Sequence, residues 1–393
     1  MTPVQVSKRL VIYIQGFDPR GLKEYYNFFH REFERACALH GWTGKVGGAR
    51  DIPKRHAADW DFSATGDGWQ VGTRFLFLRW DDLIQADLAR PVWWKIVQLY
   101  RTIGVAMLSG AFRRMLRASW RYSLFALLPL VTITAWIFFG TFFGVLCMNL
   151  VLNMHAPELV AKIVGSVTGV GGFASILWLT EPMTKLLQRC DAAATADQIA
   201  NKKRKDIAQR TTAFAAAIID AISTTKADEV VIAAHGLGTV LAIDAIGQAL
   251  IRAPSLGEDG PRLALLTLGA NLPVVGFDPE AGWFRNRLRQ LAEAPNYDWI
   301  DVQSRDDILS FCPFDPVAGH DIVLEADERR NPQVMAINFR DLRKTGGSTL
   351  RLWRFFEGHF QYLRANERLG DTFDYYLICF GPLDLMSRIA PPK

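Results

Sequence analysis

Apolar positions along the chain fall into three regimes. In the first, residues 9–15, RLVIYIQ, form an almost unbroken apolar run that stops at Gly16, as a strand covered on both faces does. Residues 21–42 then place Tyr26, Phe29, Phe33, Ala36 and Leu39 at three- and four-residue intervals, the stripe of an amphipathic helix. Residues 73–80, TRFLFLRW, read as a second strand, while residues 42–72 are polar, glycine-rich and ambiguous. The chain therefore opens β–α–β, the start of a parallel sheet.

The second regime interrupts this pattern. Residues 123–152 hold no charged side chain in 30 positions, where about 20 apolar residues suffice to cross a bilayer. A short link, NMHAPE, leads into residues 159–180, whose only charge is Lys162 and whose Gly165, Gly169 and Gly172 would let two helices approach closely. The expectation is a transmembrane hairpin with spans at 122–152 and 159–180. In the third regime the α/β pattern resumes, with helices at 205–225 and 239–251 and strands at 229–234, 262–269, 299–304 and 333–340. The organisation that follows is one α/β domain in two parts, residues 1–89 and 201–393. The insertion at 90–200 would hold a membrane-interface helix and the hairpin.

Charge refines this picture. Arg113, Arg114, Arg117 and Arg121 precede the hairpin, and Lys185, Arg189 and the run Lys202-Lys203-Arg204-Lys205 follow it, while the link has neither Lys nor Arg. Because positive residues stay on the cytoplasmic side, both ends of the hairpin, and the α/β domain with them, are expected there. The Lys202–Lys205 run fits a solvated helix face as well as a headgroup contact. Residues 90–121 carry Trp93, Trp94 and Trp120 beside seven Arg or Lys and no acid, which suits a helix lying in the membrane interface. A third short span is also conceivable, although Arg101 counts against it.

Composition adds limits. Half of the 393 residues are hydrophobic, and the excess is concentrated in the hairpin, while the net charge of +5 is mild. Basic clusters beside membrane spans point to a bilayer rather than to nucleic acid. The five cysteines are scattered with no C-x-x-C pair, which fits buried thiols better than disulfides. No metal site and no cofactor site is expected, and the first strand run is too short and too β-rich for a signal peptide.

Candidate chemistry lies in residues 230–250, VVIAAHGLGTVLAIDAIGQAL. A strand runs into Ala234-His235-Gly236-Leu237-Gly238, and a helix begins at once. This is the layout of a nucleophile elbow, G-x-S-x-G, with Gly236 where the serine would stand. An ordinary glycine-rich βα turn is the alternative, but the stretch is neither G-x-G-x-x-G nor a P-loop.

On these motifs and their order the chain resembles the α/β-hydrolase superfamily of serine esterases and lipases, over roughly residues 9–80 and 205–365. The resemblance implies an α/β fold with a mostly parallel sheet and helices on both faces. It implies a catalytic acid after a late strand, for which Asp306 fits the spacing in RDDIL better than Asp307. It implies a histidine base after the last strand, His359 in FFEGHF, with His320 as competitor. It also implies an oxyanion hole from the N–H groups of Leu237 and, in the loop YIQGFDPRG, Phe17. Arg20 in that loop could meet an anionic headgroup or pair with a carboxylate. The implied substrate is a lipid or another acyl ester. With Gly236 the nucleophile is missing, by design or by natural loss, the latter giving a pseudo-hydrolase that binds a lipid or a protein. A water activated by His359 is the third account.

Overall fold

The computed structural model describes residues 4–258, 260–325, 328–344, 355–370 and 373–389. Residues 351–354, part of the stretch leading to His359, lie outside the described residues. The strands are, in chain order, β1 (Lys8–Ile14), β2 (Thr43–Val46), β3 (Arg50–Ile52), β4 (Ala57–Gly66), β5 (Trp69–Leu78), β6 (Glu229–His235), β7 (Arg262–Leu268), β8 (Tyr297–Ser304) and β9 (Gln333–Ile337). They form one nine-stranded sheet in the order β2-β4-β5-β1-β6-β7-β8-β9, with β3 also paired to β4.

The sheet is mixed. From β5 to β9 all neighbours are parallel. At the other edge β4 runs antiparallel to β5, β2 and β3. This antiparallel edge is built from the ambiguous residues 42–72. Its signal in the sequence was weak because the alternation exists only in β4, where Trp60, Phe62 and Ala64 face the core between Asp61 and Ser63. Strands β1 and β6 are central and buried throughout apart from Lys8, which is why both read as continuous apolar runs.

The helices are α1 (Leu22–His40), α2 (Asp81–Leu88), α3 (Val92–Leu108), α4 (Ala111–Ala118), α5 (Trp120–Asn153), α6 (Glu158–Thr184), α7 (Leu186–Ala200), α8 (Lys205–Thr224), α9 (Gly238–Arg252), α10 (Leu272–Gly276) and α11 (Gly282–Glu293), followed by shorter pieces. One face of the sheet packs on α8, α9 and α11 through residues such as Phe214, Leu241 and Leu288. The other packs on α1 and the 375–380 segment through Tyr25, Phe29, Phe33 and Tyr375. Strands from both sides of the 90–200 insertion thus share one sheet and two cores.

Helices α5 and α6 are long and apolar enough to cross a membrane. They pack on each other where Gly140 and Gly144 meet Gly165 and Gly169: a Cβ on Gly165 would lie 2.8 Å from the Gly144 carbonyl oxygen. Gly172 takes no part in this contact, because the nearest atom to its Cβ position is a Phe143 ring carbon at 3.8 Å. Small residues replace side-chain interdigitation with direct backbone approach.

The basic flanks divide into two groups. Arg113, Arg117 and Arg121 are exposed, as are Lys202, Lys203 and Lys205. Arg204 is instead buried against Asp87 and Asp206 at 2.8 and 2.7 Å. Lys95, amid the tryptophans of α3, reaches inward to Asp191 at 2.6 Å, so it ties α3 to α7 rather than facing solvent.

Candidate functional site

The site is assembled at the carboxyl ends of β1, β6, β7 and β8. Strand β6 ends at His235, and Gly236 turns the chain into α9 with a positive φ of 54°. Glycine adopts this conformation at no steric cost, whereas a side chain there stores about 1–3 kcal/mol of strain. Hydrogen bonds hold the turn, among them Thr239 N–H to the Gly236 carbonyl (3.2 Å). Gly236 N–H donates to the Leu268 carbonyl (3.1 Å), and its own carbonyl accepts from Asn271 N–H (3.3 Å) and the Thr239 hydroxyl (2.6 Å). Gly238 has to be small, because a Cβ there would collide with the Gln15 carbonyl at the end of β1.

His359 closes over this turn. It is the last residue of a short helix, Phe355–His359. A Cβ placed on Gly236 would lie 2.8 Å from His359 Nε2 and 3.4 Å from Asn271 Oδ1. The imidazole therefore occupies the space directly beside the missing side chain. Its other nitrogen, Nδ1, is 2.7 Å from Asp307 Oδ2.

Asp307, not Asp306, holds the imidazole. Asp306 was the better match to the expected spacing, but its carboxylate accepts from Phe339 N–H at 3.0 Å, beyond the end of β9. Asp307 is buried and steadied by Leu309 N–H, which donates to its Oδ1 at 2.9 Å. The two residues follow β8 in one turn, so their side chains leave it in different directions, and only one can point back over the sheet. His320 is excluded as the base: its Nδ1 lies 2.6 Å from the Pro316 carbonyl. Its ring packs on Phe277 and Phe314, and burial lowers its pKa to about 4.

Phe17 and Leu237 both line the cavity that opens onto Gly236 and His359. Neither backbone N–H has an acceptor among the described residues. Two unengaged N–H groups bordering one cavity are what an oxyanion requires. The Phe17 loop is fixed from below. The Trp80 indole donates to the Gln15 carbonyl (2.8 Å), and the Gln15 side chain donates to the Asp18 carbonyl (2.8 Å). Arg20 pairs with Asp18 at 2.6 Å and lies over the Phe360 ring, the carboxylate contact of its two readings.

Sequence reasoning gave no role to His235 or Asn271. The His235 ring lies 4.1 Å from that of His359, centroid to centroid, and its Nε2 is 2.9 Å from the His359 carbonyl. Burial, then the nearby His359, push the His235 pKa well below the ordinary histidine value. The ring is thus neutral, and its Nε2–H donates to that carbonyl. Asn271 donates to the Leu309 carbonyl at 2.6 Å, linking the elbow to the loop that carries Asp307. The signal for both residues is position alone: His235 ends β6, and Asn271 lies in the short turn that follows β7. Among the described residues no group of His, Cys, Asp and Glu has the arrangement of a metal site.

Comparison of the chain with known protein families, curated proteins and solved structures finds no significant match. Its reading rests on geometry.

Proposed function

We propose that this protein is a membrane-anchored member of the serine-hydrolase class, built on an α/β-hydrolase-type fold. Its site is arranged for acyl-ester cleavage but lacks the nucleophile at Gly236. One observation carries the reading: the Gly236 Cβ position lies 2.8 Å from His359 Nε2, and Asp307 holds the opposite nitrogen at 2.7 Å. Base and nucleophile must nearly touch for proton transfer. The acid's role is to fix the imidazole tautomer and stabilise the imidazolium.

In this reading a serine at position 236 attacks the acyl carbon and gives its proton to His359. The Phe17 and Leu237 N–H groups take the charge that develops on the carbonyl oxygen. With glycine the same site binds an ester or acid without cleaving it at a useful rate, the residual from binding and the oxyanion hole being roughly 10³–10⁴-fold over water. The hairpin of α5 and α6 anchors the domain on the cytoplasmic face. Exposed Trp93 and Trp120, with Arg113, Arg117 and Arg121, lie at the headgroup level. The substrate class is an acyl ester of a lipid.

The test is labelling by a serine-directed fluorophosphonate, in detergent or lipid, of three forms: the chain as it stands, Gly236→Ser, and Gly236→Ser with His359→Ala. Strong labelling of Gly236→Ser alone supports the reading. A folded Gly236→Ser form that stays unlabelled favours the second reading, a natural pseudo-hydrolase serving as a lipid- or protein-binding module. That second reading draws on the same distance and on the backbone: a Cβ at 2.8 Å requires the His359 ring to shift, and a φ of 54° strains any side chain at position 236.

A further inference from the structure

The cavity at Gly236 has a volume of about 210 Å³, small against the roughly 300–1,000 Å³ of drug-sized pockets. It has two unlike ends. One holds Gly236, His359 and the Phe17 and Leu237 N–H groups. The other is walled by Leu99 and Ile103 of α3, Phe112 and Met115 of α4, and Phe125 and Pro129 of α5. Helix α5 has 34 residues, about 50 Å at 1.5 Å per residue, whereas the hydrocarbon core is about 30 Å thick. Its first turns can therefore stand clear of the bilayer as the wall of this pocket while its remainder spans. The apolar end is continuous with the membrane anchor.

Within that lining one Lys or Arg side chain occurs, Arg189 of α7. Its Nη2 donates to the Phe125 carbonyl at 2.5 Å, and its guanidinium carbon lies 3.7 Å from the Phe125 ring centroid. Its Nε and Nη1 have no acceptor among the described residues, and no carboxylate there forms an ion pair with it. The acids of the same wall are engaged elsewhere: Asp18 with Arg20, Asp197 with Arg101, and Asp278 with Asn201 and Glu280 N–H. The neighbouring Gln188 donates to the Phe17 carbonyl at 3.3 Å, so Arg189 follows directly on the residue that touches the oxyanion loop. Burial lowers the Arg189 pKa to about 10, which leaves it charged at neutral pH. Glu181, whose carboxylate accepts from Leu187 N–H, acts on Arg189 only through space. A half-buried guanidinium with no directly paired carboxylate is unfavourable alone and is well formed to bind a phosphate or carboxylate through its free donors.

We propose that the site takes an anionic amphiphile, with one aliphatic chain in the pocket between α3, α4 and α5 and a phosphate or carboxylate of the same molecule on Arg189. This deepens the lipid-ester reading and rests on it for the placement of the reacting group. Arg189 acts by binding, not by chemistry. The apolar wall excludes a free inorganic anion as the ligand, because the pocket would then stay empty over most of its surface.

The experiment measures binding to the chain as it stands, in phosphatidylcholine nanodiscs corrected for empty discs. The probes are dodecyl phosphate, dodecanoate, neutral monododecanoylglycerol and inorganic phosphate. Dodecyl phosphate is expected to saturate at one per protein and to bind at least tenfold tighter than the neutral lipid, and inorganic phosphate should not displace it. Arg189→Gln should abolish that preference while leaving the neutral lipid bound, and Arg189→Lys should keep most of it. Ala106 of α3 also lines the apolar end, and Ala106→Trp, which fills it, should weaken both lipids. Equal binding of charged and neutral lipids by the unmodified chain overturns the proposal. So does an unchanged preference in Arg189→Gln, or competition by inorganic phosphate at equal affinity. None of these readouts needs a nucleophile, so failure of the Gly236→Ser labelling and failure of this inference are separate results.

Discussion

Asp307 Oδ2 and His359 Nδ1 stand 2.7 Å apart, 52 residues distant in the chain, while the carboxylate of Asp306 is turned to the backbone of Phe339. An acid that orients a base has to be buried with it, and Asp307 is. In the Gly236→Ser background, Asp307→Asn is therefore expected to slow fluorophosphonate labelling by roughly 10²–10⁴-fold, because the imidazole loses its correct tautomer. Asp306→Asn should change the rate by only a few-fold. Second-order labelling rates of the two double variants decide the matter; the opposite ranking would return the role to Asp306.

His235 is expected to position His359. Its neutral ring donates from Nε2 to the His359 carbonyl and packs against the His359 ring at a tilt of 36°. His235→Phe keeps an aromatic ring and removes the donor, so the His359 carbonyl keeps only its bond within the following 3-10 turn and loses one hydrogen bond, at a cost of about 1 kcal/mol. Labelling of Gly236→Ser should slow about tenfold and the melting temperature should fall. A faster loss of fold than of labelling would mean that the contact is structural only.

The hairpin interface makes a sharp contrast between two glycines. A Cβ on Gly144 would fall 2.5 Å from the Gly165 carbonyl, while Gly171 has nothing within 4 Å. Gly144→Val should lower the detergent melting temperature by several degrees, and Gly171→Val should leave it unchanged. Equal effects of the two would remove close backbone approach as the source of hairpin stability.

The membrane topology can be checked from both sides. With Cys147 replaced by Ala, a cysteine introduced at His155 in the link should react with an impermeant maleimide only from the non-cytoplasmic side. A cysteine at Lys203 should react only from the cytoplasm. Labelling of both from the same side would rule out a spanning hairpin in this orientation.

Asp301 is expected to give the stability of the protein a pH slope. It is buried in β8, and its pKa is pushed up to about 6 by burial, against hydrogen bonds from Thr267 and Gln303 that favour the charged form. A folded pKa above the unfolded value of about 3.9 means that the favourable contribution is complete below pH 4. It is lost as pH rises through about 6, on the order of 3 kcal/mol in all. Asp301→Asn can turn its oxygen to Gln303 and its amide to the Thr267 hydroxyl, which can itself turn toward the Ile300 carbonyl. The variant should be relatively more stable than the parent at pH 7.5 than at pH 4.5. Unfolding midpoints at the two pH values measure this, and parallel shifts of parent and variant would refute it.

The sequence by itself determined the elements whose signal is local. Residues 9–15 and 229–234 are strands because unbroken apolar runs can only be satisfied between two covered faces. The 30 uncharged positions yield one long helix because nothing within them interrupts the backbone ladder beyond Pro129. The turn at Gly236 was legible because a strand and a helix meet there across residues with no bulk. What the tertiary structure decided is whatever depends on direction. Whether Asp306 or Asp307 meets His359 turns on which way each side chain leaves a loop, and both have the same charge and nearly the same position in the sequence. The antiparallel edge from residues 42–72 takes its apolar partners from α1 and β5, not from its own neighbours. Arg189 reads as one more flanking cation until α7 folds it against Phe125. Periodicity encodes contacts a few residues apart, and a site drawn from residues 16 to 359 is set by how the packed elements aim their ends.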